Sequence, residues 1–129
     1  MYPLCFPEVN GTYLVPLSQE ADEHASYDQQ NGTIVVKERG LYYIFSQVPF
    51  RYNDGTSNKT QFLYRIRNDG EELLLENSVY PCGANPRGCM QSFVGGTFLL
   101  DSGDRLCLRV SDHQCLDDRR KVEFGVQRI

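Results

Sequence analysis

The stretch that most constrains this fold is residues 40–50, with the sequence GLYYIFSQVPF. Side chains alternate between the two faces of a strand, and here both alternating sets are largely apolar. A strand with one solvated face shows a polar residue at every second position, so this strand must be covered on both sides. The core of the chain supplies one cover. In a small antiparallel protein the second cover is most simply another copy of the chain, so the stretch is a candidate for core and oligomer interface together.

Composition and charge limit the function classes. With 129 residues, 40% of them hydrophobic, the chain is long enough to bury a sizeable core, and we predict a single domain over residues 1–129. A net charge of −4 argues against nucleic-acid binding, which requires clustered Lys and Arg. The sequence has no long apolar run and no signal-peptide pattern at its start, so we expect no membrane insertion by this fragment.

The chain carries five cysteines, no Cys-x-x-Cys pair and only two histidines. This set favours disulfides over a zinc site. Cys82 and Cys89 are the best candidate pair, because the segment between them is rich in turn-forming residues. The other three are an odd number, so one of them is free, is joined to another chain or lacks its partner in this sequence. If the protein is intracellular, the alternative to disulfides is that the cysteines are plain buried thiols. These three are Cys5, Cys107 and Cys115.

Three N-x-[ST] sequons begin at Asn10, Asn31 and Asn58, each in a segment predicted to be a turn or a strand edge. One sequon is weak support for glycosylation. Three sequons together with disulfide-forming cysteines indicate an extracellular protein.

Apolar spacing predicts about eight short strands and no convincing helix. Residues 18–30 are predicted to be an exposed polar loop. Residues 37–40 turn the chain from a β-branched strand into the central stretch, which predicts a hairpin between these two strands. The regular spacing is typical of an all-β sandwich or jelly roll of two antiparallel sheets. The predicted strands are residues 12–15, 33–36, 40–50, 61–67, 73–79, 91–100, 105–110 and 122–129.

Alternation also predicts which side chains face the core. In residues 105–110, Leu106 and Leu108 are predicted to point inward and Cys107 outward, and residues 61–67 are predicted to form a half-exposed strand. Gly95-Gly96 interrupts an otherwise apolar strand, which predicts a bulge or the close approach of another backbone.

Three segments, in matching order and spacing, resemble the tumour necrosis factor ligands: residues 40–48 (GLYYIFSQV), residues 93–106 (FVGGTFLLDSGDRL) and Phe124-Gly125-Val126. The resemblance covers residues 32–129. It implies a jelly roll that assembles as a homotrimer. The trimer is expected to be either a secreted protein or the ectodomain of a type II membrane protein whose anchor is absent here. The resemblance further implies that the trimer binds and clusters cysteine-rich receptor ectodomains, with no catalysis and no cofactor.

The same resemblance assigns a set of residues to the threefold interface. Glu123 stands where family members often place an aromatic residue, and an unpaired buried carboxylate costs several kcal/mol. We expect either a partner, with Arg128 and Lys121 as candidates, or a more open trimer at this point. The interface residues are Leu41, Tyr43, Phe45, Gln47, Phe93, Phe98, Glu123 and Ile129.

Candidate receptor contacts lie in loops, where ordinary solvated side chains are the alternative. The turn with Asn68 and Asp69 is included, although it lacks the apolar tip residue that several family members carry. The full set is Arg51, Tyr52, Asp54, Asn68, Asp69, His113, Gln114, Leu116 and Asp117.

Two other function classes deserve comparison with a signalling ligand. The sequence contains no nucleophile elbow, zinc-protease motif or phosphate-binding loop, so it does not predict an enzyme. A complement-type globular head or lectin-like jelly roll shares the predicted fold and binds glycans or other ligands, often with calcium. No calcium-loop spacing is present among the loop aspartates, and residues 40–48 and 93–98 favour the signalling ligand.

Overall fold

The computed structural model describes residues 14–15, 24–28, 31–51, 59–80, 89–111 and 122–129. These residues form nine strands. They are β1 (Leu14–Val15), β2 (Ala25–Asp28), β3 (Thr33–Val36), β4 (Gly40–Arg51), β5 (Lys59–Arg67), β6 (Gly70–Val79), β7 (Cys89–Leu100), β8 (Arg105–Val110) and β9 (Val122–Arg128).

The strands form two sheets. One has four strands in the order β1-β9-β4-β7, and the other has five in the order β2-β3-β8-β5-β6. Neighbouring strands are antiparallel, except that β1 runs parallel to β9. The predicted class, an all-β protein of two antiparallel sheets, is confirmed for the described residues, and the arrangement is consistent with a jelly roll.

The core lies between the sheets. β4 contributes Tyr42, Ile44 and Val48, and β8 contributes Leu106 and Leu108 from the facing sheet, all buried. Alternation along β4 therefore leaves Leu41, Tyr43, Phe45 and Gln47 on the other face of the sheet. Burying one such side chain completely stabilises the fold by roughly 1.5–3 kcal/mol before conformational entropy is subtracted, so this layer holds the two sheets together.

The predicted hairpin between residues 33–36 and the central stretch is wrong. β3 pairs with β2 and β8 in the five-stranded sheet, whereas β4 pairs with β7 and β9 in the four-stranded sheet. Residues 37–39 therefore connect the two sheets. The physical reason is that strand pairing is set by both sheets together, so a short connection between two strands does not by itself make them a hairpin.

The predicted loop at residues 18–30 is wrong in part, because Ala25–Asp28 forms the edge strand β2. Ala25 is fully buried and pairs with Val36, and Tyr27 packs against the core. Only these two apolar residues mark the strand, which is too short a pattern to detect by alternation.

Cys107 lies on the face away from the core, as predicted, but it is not solvated. Its neighbours Leu106 and Leu108 face the core as predicted, but Cys107 on the other face is fully buried as well. It lies in the middle of the five-stranded sheet, paired with Thr33 on one side and Tyr64 on the other, and it is part of a disulfide. A central strand covered on both faces does not show which of its residues is solvated.

A candidate assembly interface on the four-stranded sheet

The side of the four-stranded sheet that is turned away from the core carries most of the predicted interface residues. We call it the open face. The strand register places its members side by side. They are Leu41, Tyr43, Phe45 and Gln47 of β4, Gln91, Phe93, Gly95, Thr97 and Leu99 of β7, and Glu123, Gly125, Gln127 and the following Ile129 at β9.

One end of the open face is apolar and exposed. Leu41 and Leu99 are cross-strand partners and are 44% and 52% exposed. Ile129 is 70% exposed, and its backbone amide donates to the Leu41 carbonyl at 2.9 Å. Toward the other end of the face, Phe93 pairs with Gln47 and adds a ring that is 53% exposed. Most exposed large apolar side chains of the described residues thus lie on this one face, and such clustering marks an interaction site.

The middle of the open face is built from aromatic rings over glycines. Tyr43 and Phe45 stack with ring centroids 6.3 Å apart and planes 9° apart. Phe45 has Gly95 and Gly125 as its two cross-strand partners. A Cβ at Gly95 would collide with the Tyr43 hydroxyl and lie 3.2 Å from the Phe93 ring. Gly95 is therefore needed so that these rings can lie flat on the sheet.

This explanation replaces the predicted bulge. The pairing of β4 with β7 runs without a register shift through Gly95 and Gly96. At Gly96, on the core side, a Cβ would meet Phe98 at 3.1 Å and Leu75 at 3.3 Å. Both glycines make room for side chains, not for another backbone.

The opposite end of the open face is polar. Gln47 donates from its Nε2 to Oε1 of Gln91 at 3.2 Å. Glu123 is exposed and pairs with Gln47 in the register. Among the described residues of this face, Glu123 is the one side chain with a formal charge. Any partner that covers the face must therefore accommodate this carboxylate.

Arg128 is not the partner that the sequence suggested for Glu123. The two residues are separated by an odd number of positions, so their side chains lie on opposite sides of β9. Arg128 instead donates to Glu38 at 2.9 Å and lies 3.3 Å from His24 Nδ1. The second candidate, Lys121, lies outside the described residues.

Seven of the eight predicted interface residues lie on the open face, and Phe98 does not. It pairs with Tyr42 and packs against the core. Its neighbours in sequence, Thr97 and Leu99, take the outward positions. Phe45, although on the open face, is only 4% exposed in the single chain.

A family model confirms the resemblance noted in the sequence. The model of the TNF (Tumour Necrosis Factor) family matches residues 18–129. The chain belongs to this family.

Curated relatives of this TNF-family chain are named as ligands. Tumor necrosis factor ligand superfamily member 10 of Mus musculus is 26% identical over 112 residues, which cover 74% of this chain and 38% of that protein. CD40 ligand of Homo sapiens is 33% identical over 88 residues, covering 64% and 34%. Tumor necrosis factor ligand superfamily member 6 of Mus musculus is 25% identical over 132 residues, covering 98% and 44%. The chain spans less than half the length of these relatives.

Among the receptor-contact candidates of this TNF-family chain, the structure describes the side chains of Asn68 and Asp69. Both are exposed at the tip of the β5–β6 hairpin, which Gly70 closes with a φ of +143°. Arg51 is described only as the last residue of β4. The other receptor-contact candidates lie outside the described residues. The same holds for the sequon asparagines Asn10 and Asn58. Of the predicted disulfide pair, Cys82 lies outside the described residues and Cys89 is described without its side chain. The remaining candidates are Tyr52, Asp54, His113, Gln114, Leu116 and Asp117.

An ion-pair cluster fixes the turn after β7. Arg67 donates to Asp104 at 2.8 Å and to Asp101 at 2.9 Å. Burial alone raises the pKa of the Asp104 carboxyl, but hydrogen bonds from Arg67 and from the Asp101 amide outweigh it and hold that pKa below its usual value. The cluster ties β5 to the β7–β8 turn, next to the tip of the β5–β6 hairpin.

The described residues contain no group of three His, Cys, Asp or Glu side chains placed to hold a metal ion. Within the same residues, no helix has the length and apolar character required to span a membrane.

Proposed function

We propose that this chain is the receptor-binding domain of a TNF-superfamily cytokine. It assembles as a homotrimer through the open face, acts outside the cell as a secreted or membrane-tethered protein, and binds and clusters cysteine-rich receptor ectodomains. The observation that carries this proposal is the open face itself, an apolar sheet surface left uncovered in the single chain of a TNF-family protein.

The energetics of the open face support burial against another copy. Leu41, Phe93, Leu99 and Ile129 are between 44% and 70% exposed. Complete burial of one such side chain contributes roughly 1.5–3 kcal/mol, so removing the remaining exposed part of all four gives several kcal/mol per protomer. Glu123 opposes association, because burying an unpaired carboxylate costs several kcal/mol. These exposed apolar side chains therefore carry the association, and we place Glu123 where solvent still reaches the interface.

Receptor contacts fall on loops in this proposal. We assign them to the segments that follow β4 and β8 in the chain and to the tip of the β5–β6 hairpin. The tip itself carries only polar residues, so it adds specificity more than apolar contact area. The assigned residues are Arg51, Tyr52, Asp54, Asn68, Asp69, His113, Gln114, Leu116 and Asp117.

Light scattering coupled to size-exclusion chromatography tests the assembly. The expected mass is three times the protomer mass of 14.8 kDa. A monomer at micromolar concentration contradicts the assembly proposal.

A biosensor panel of cysteine-rich receptor ectodomains tests the partner class, with a glycan array in the presence and absence of calcium as the counter-test. We expect saturable binding to at least one receptor. Calcium-controlled glycan binding without any receptor binding would instead identify a complement-type or lectin-like head.

A further inference from the structure

The turn between β2 and β3 carries the sequon Asn31-Gly32-Thr33 in a defined conformation. Gly32 donates its amide to the Asp28 carbonyl at 2.8 Å and has a φ of +69°, a value that glycine adopts without strain. Asn31 is exposed at this turn. The backbone therefore presents its side chain to solvent.

The Asn31 amide group has a local partner that tolerates substitution. Its Nδ2 donates to Asp28 Oδ2 at 2.8 Å. An amide nitrogen that bears a sugar keeps one N–H, and one N–H is sufficient for this hydrogen bond. Attachment of a glycan at Nδ2 thus leaves the turn intact.

The third residue of the sequon behaves differently. Thr33 is buried, and its Oγ1 accepts a hydrogen bond from Arg105 of β8 at 3.0 Å. The sequon hydroxyl is therefore accessible only before β3 pairs with β8. Modification at Asn31 must precede closure of the five-stranded sheet, as in a chain that is modified while it enters the secretory pathway.

The turn also lies away from the open face. Asn31 sits at an end of the five-stranded sheet, whereas the open face belongs to the four-stranded sheet on the other side of the core. The Thr60 hydroxyl of the Asn58 sequon is likewise bonded, to Ser78 at 2.7 Å within paired strands. The disulfide at Cys107 is a second, independent sign of an oxidising compartment.

We propose that Asn31 is an N-glycosylation site and that its glycan covers the β2–β3 end of the five-stranded sheet. Nδ2 of Asn31 attacks C1 of the first N-acetylglucosamine of an oligosaccharide carried on a polyprenyl pyrophosphate. The C1–N bond forms, the C1–O bond to the pyrophosphate breaks, the polyprenyl pyrophosphate leaves and the amide loses one proton. No oxidant or reductant is required. The proposal relies on the extracellular location given above.

The test is site-resolved mass spectrometry of the full chain, secreted from eukaryotic cells behind an added signal sequence. Enzymatic release of N-glycans in heavy-oxygen water converts an occupied Asn into a labelled Asp. We expect label at Asn31 in the wild type and in Thr33→Ser, which keeps both the sequon and the hydroxyl, and complete loss of label in Asn31→Gln. Asn68 is the internal control, because it is an exposed turn asparagine without a hydroxyl residue two positions later.

An unlabelled Asn31 peptide that accounts for most of the secreted protein overturns the proposal. The added signal sequence ensures entry into the secretory pathway, so an empty site does not bear on the cytokine proposal. The label is read from peptides, so the result for Asn31 does not depend on whether the chain assembles. We expect Asn31→Gln to leave the number of chains per oligomer unchanged in light scattering. A loss of assembly in this variant contradicts the placement of the glycan away from the open face.

Discussion

The two sheets differ in how the apolar side chains on their outward faces are covered. The outward side of the five-stranded sheet, which we call the capped face, carries Phe62 and Tyr64 of β5, stacked at 6.3 Å. Arg109 lies 4.8 Å above the Tyr64 ring and makes two 2.8 Å hydrogen bonds to Glu71. These aromatic rings are half-buried by groups of the same chain. The open face carries rings and aliphatic side chains of similar size with no such charged cover among the described residues.

This difference separates an apolar patch that belongs to the protomer from one that requires a partner. On the capped face, the cation and its carboxylate satisfy one another while they shield the ring, so the surface is complete in a single chain. On the open face, Gly95 and Gly125 flatten the sheet and leave Phe93, Leu99 and Ile129 uncovered. A flat and largely apolar surface is one that a second copy of the chain can cover.

The strongest way to break this comparison is Phe93→Asp. A carboxylate in place of a ring that the partner covers costs several kcal/mol, so we expect the association constant to fall at least about 100-fold and the protein to elute as a monomer. Sedimentation velocity or light scattering at matched concentration measures this. Leu73→Asp is the control, because Leu73 is 43% exposed and pairs with Tyr64 on the capped face. If both variants dissociate equally, the distinction between the two faces is wrong.

Glu123→Gln sharpens the comparison in the other direction. Removing the one charge described on the open face while keeping its shape should tighten association by about tenfold, equivalent to about 1.4 kcal/mol. A dilution series in analytical ultracentrifugation measures the change. Glu76→Gln, at an exposed position of β6, removes the same charge elsewhere and should leave association unchanged. Weaker association of Glu123→Gln would show that the carboxylate has a partner across the interface.

How far the sequence predicted these features depends on what each pattern encodes. Residues 40–50 predicted a strand with two covered faces, and the family resemblance named eight interface candidates, seven of which lie on one surface. The resemblance was wrong for Phe98, which is an odd number of positions from Phe93 and therefore lies on the opposite face of β7.

The sheet partner of β3 was not predictable either, because pairing over many residues is set by both sheets together and not by the turn between two strands. The capped face escaped detection for the same reason. Arg109 and Glu71 are 38 positions apart, and only the fold brings them over Tyr64.

Arg109→Ala tests whether the capped face is complete within the protomer. The variant exposes Tyr64 and leaves Glu71 without its partner. We expect the free energy of unfolding to fall by about 1–2 kcal/mol, since the cation–ring contact and the paired hydrogen bonds are only partly shielded from water. Chemical denaturation measures the loss, and light scattering should show the oligomer unchanged. Dissociation of the oligomer in this variant at a concentration where it remains folded would mean that the capped face also takes part in assembly.

The smallest expected effect is the part of the pH dependence of stability that Glu71 contributes on the capped face. The hydrogen bonds from Arg109 hold the pKa of Glu71 below its usual value of 4.5. A carboxyl whose pKa is lowered by folding contributes stability above the unfolded value of about 4.5, and this contribution is lost as the pH falls through the lower folded value. Arg109→Ala should therefore flatten the difference in unfolding free energy between pH 6 and pH 3 slightly relative to the wild type. Because Glu71 and Arg109 lie on the capped face, Phe93→Asp should leave their contribution to this pH dependence intact. If Arg109→Ala leaves the pH dependence unchanged and Phe93→Asp reduces it, the assignment to Glu71 and Arg109 is wrong.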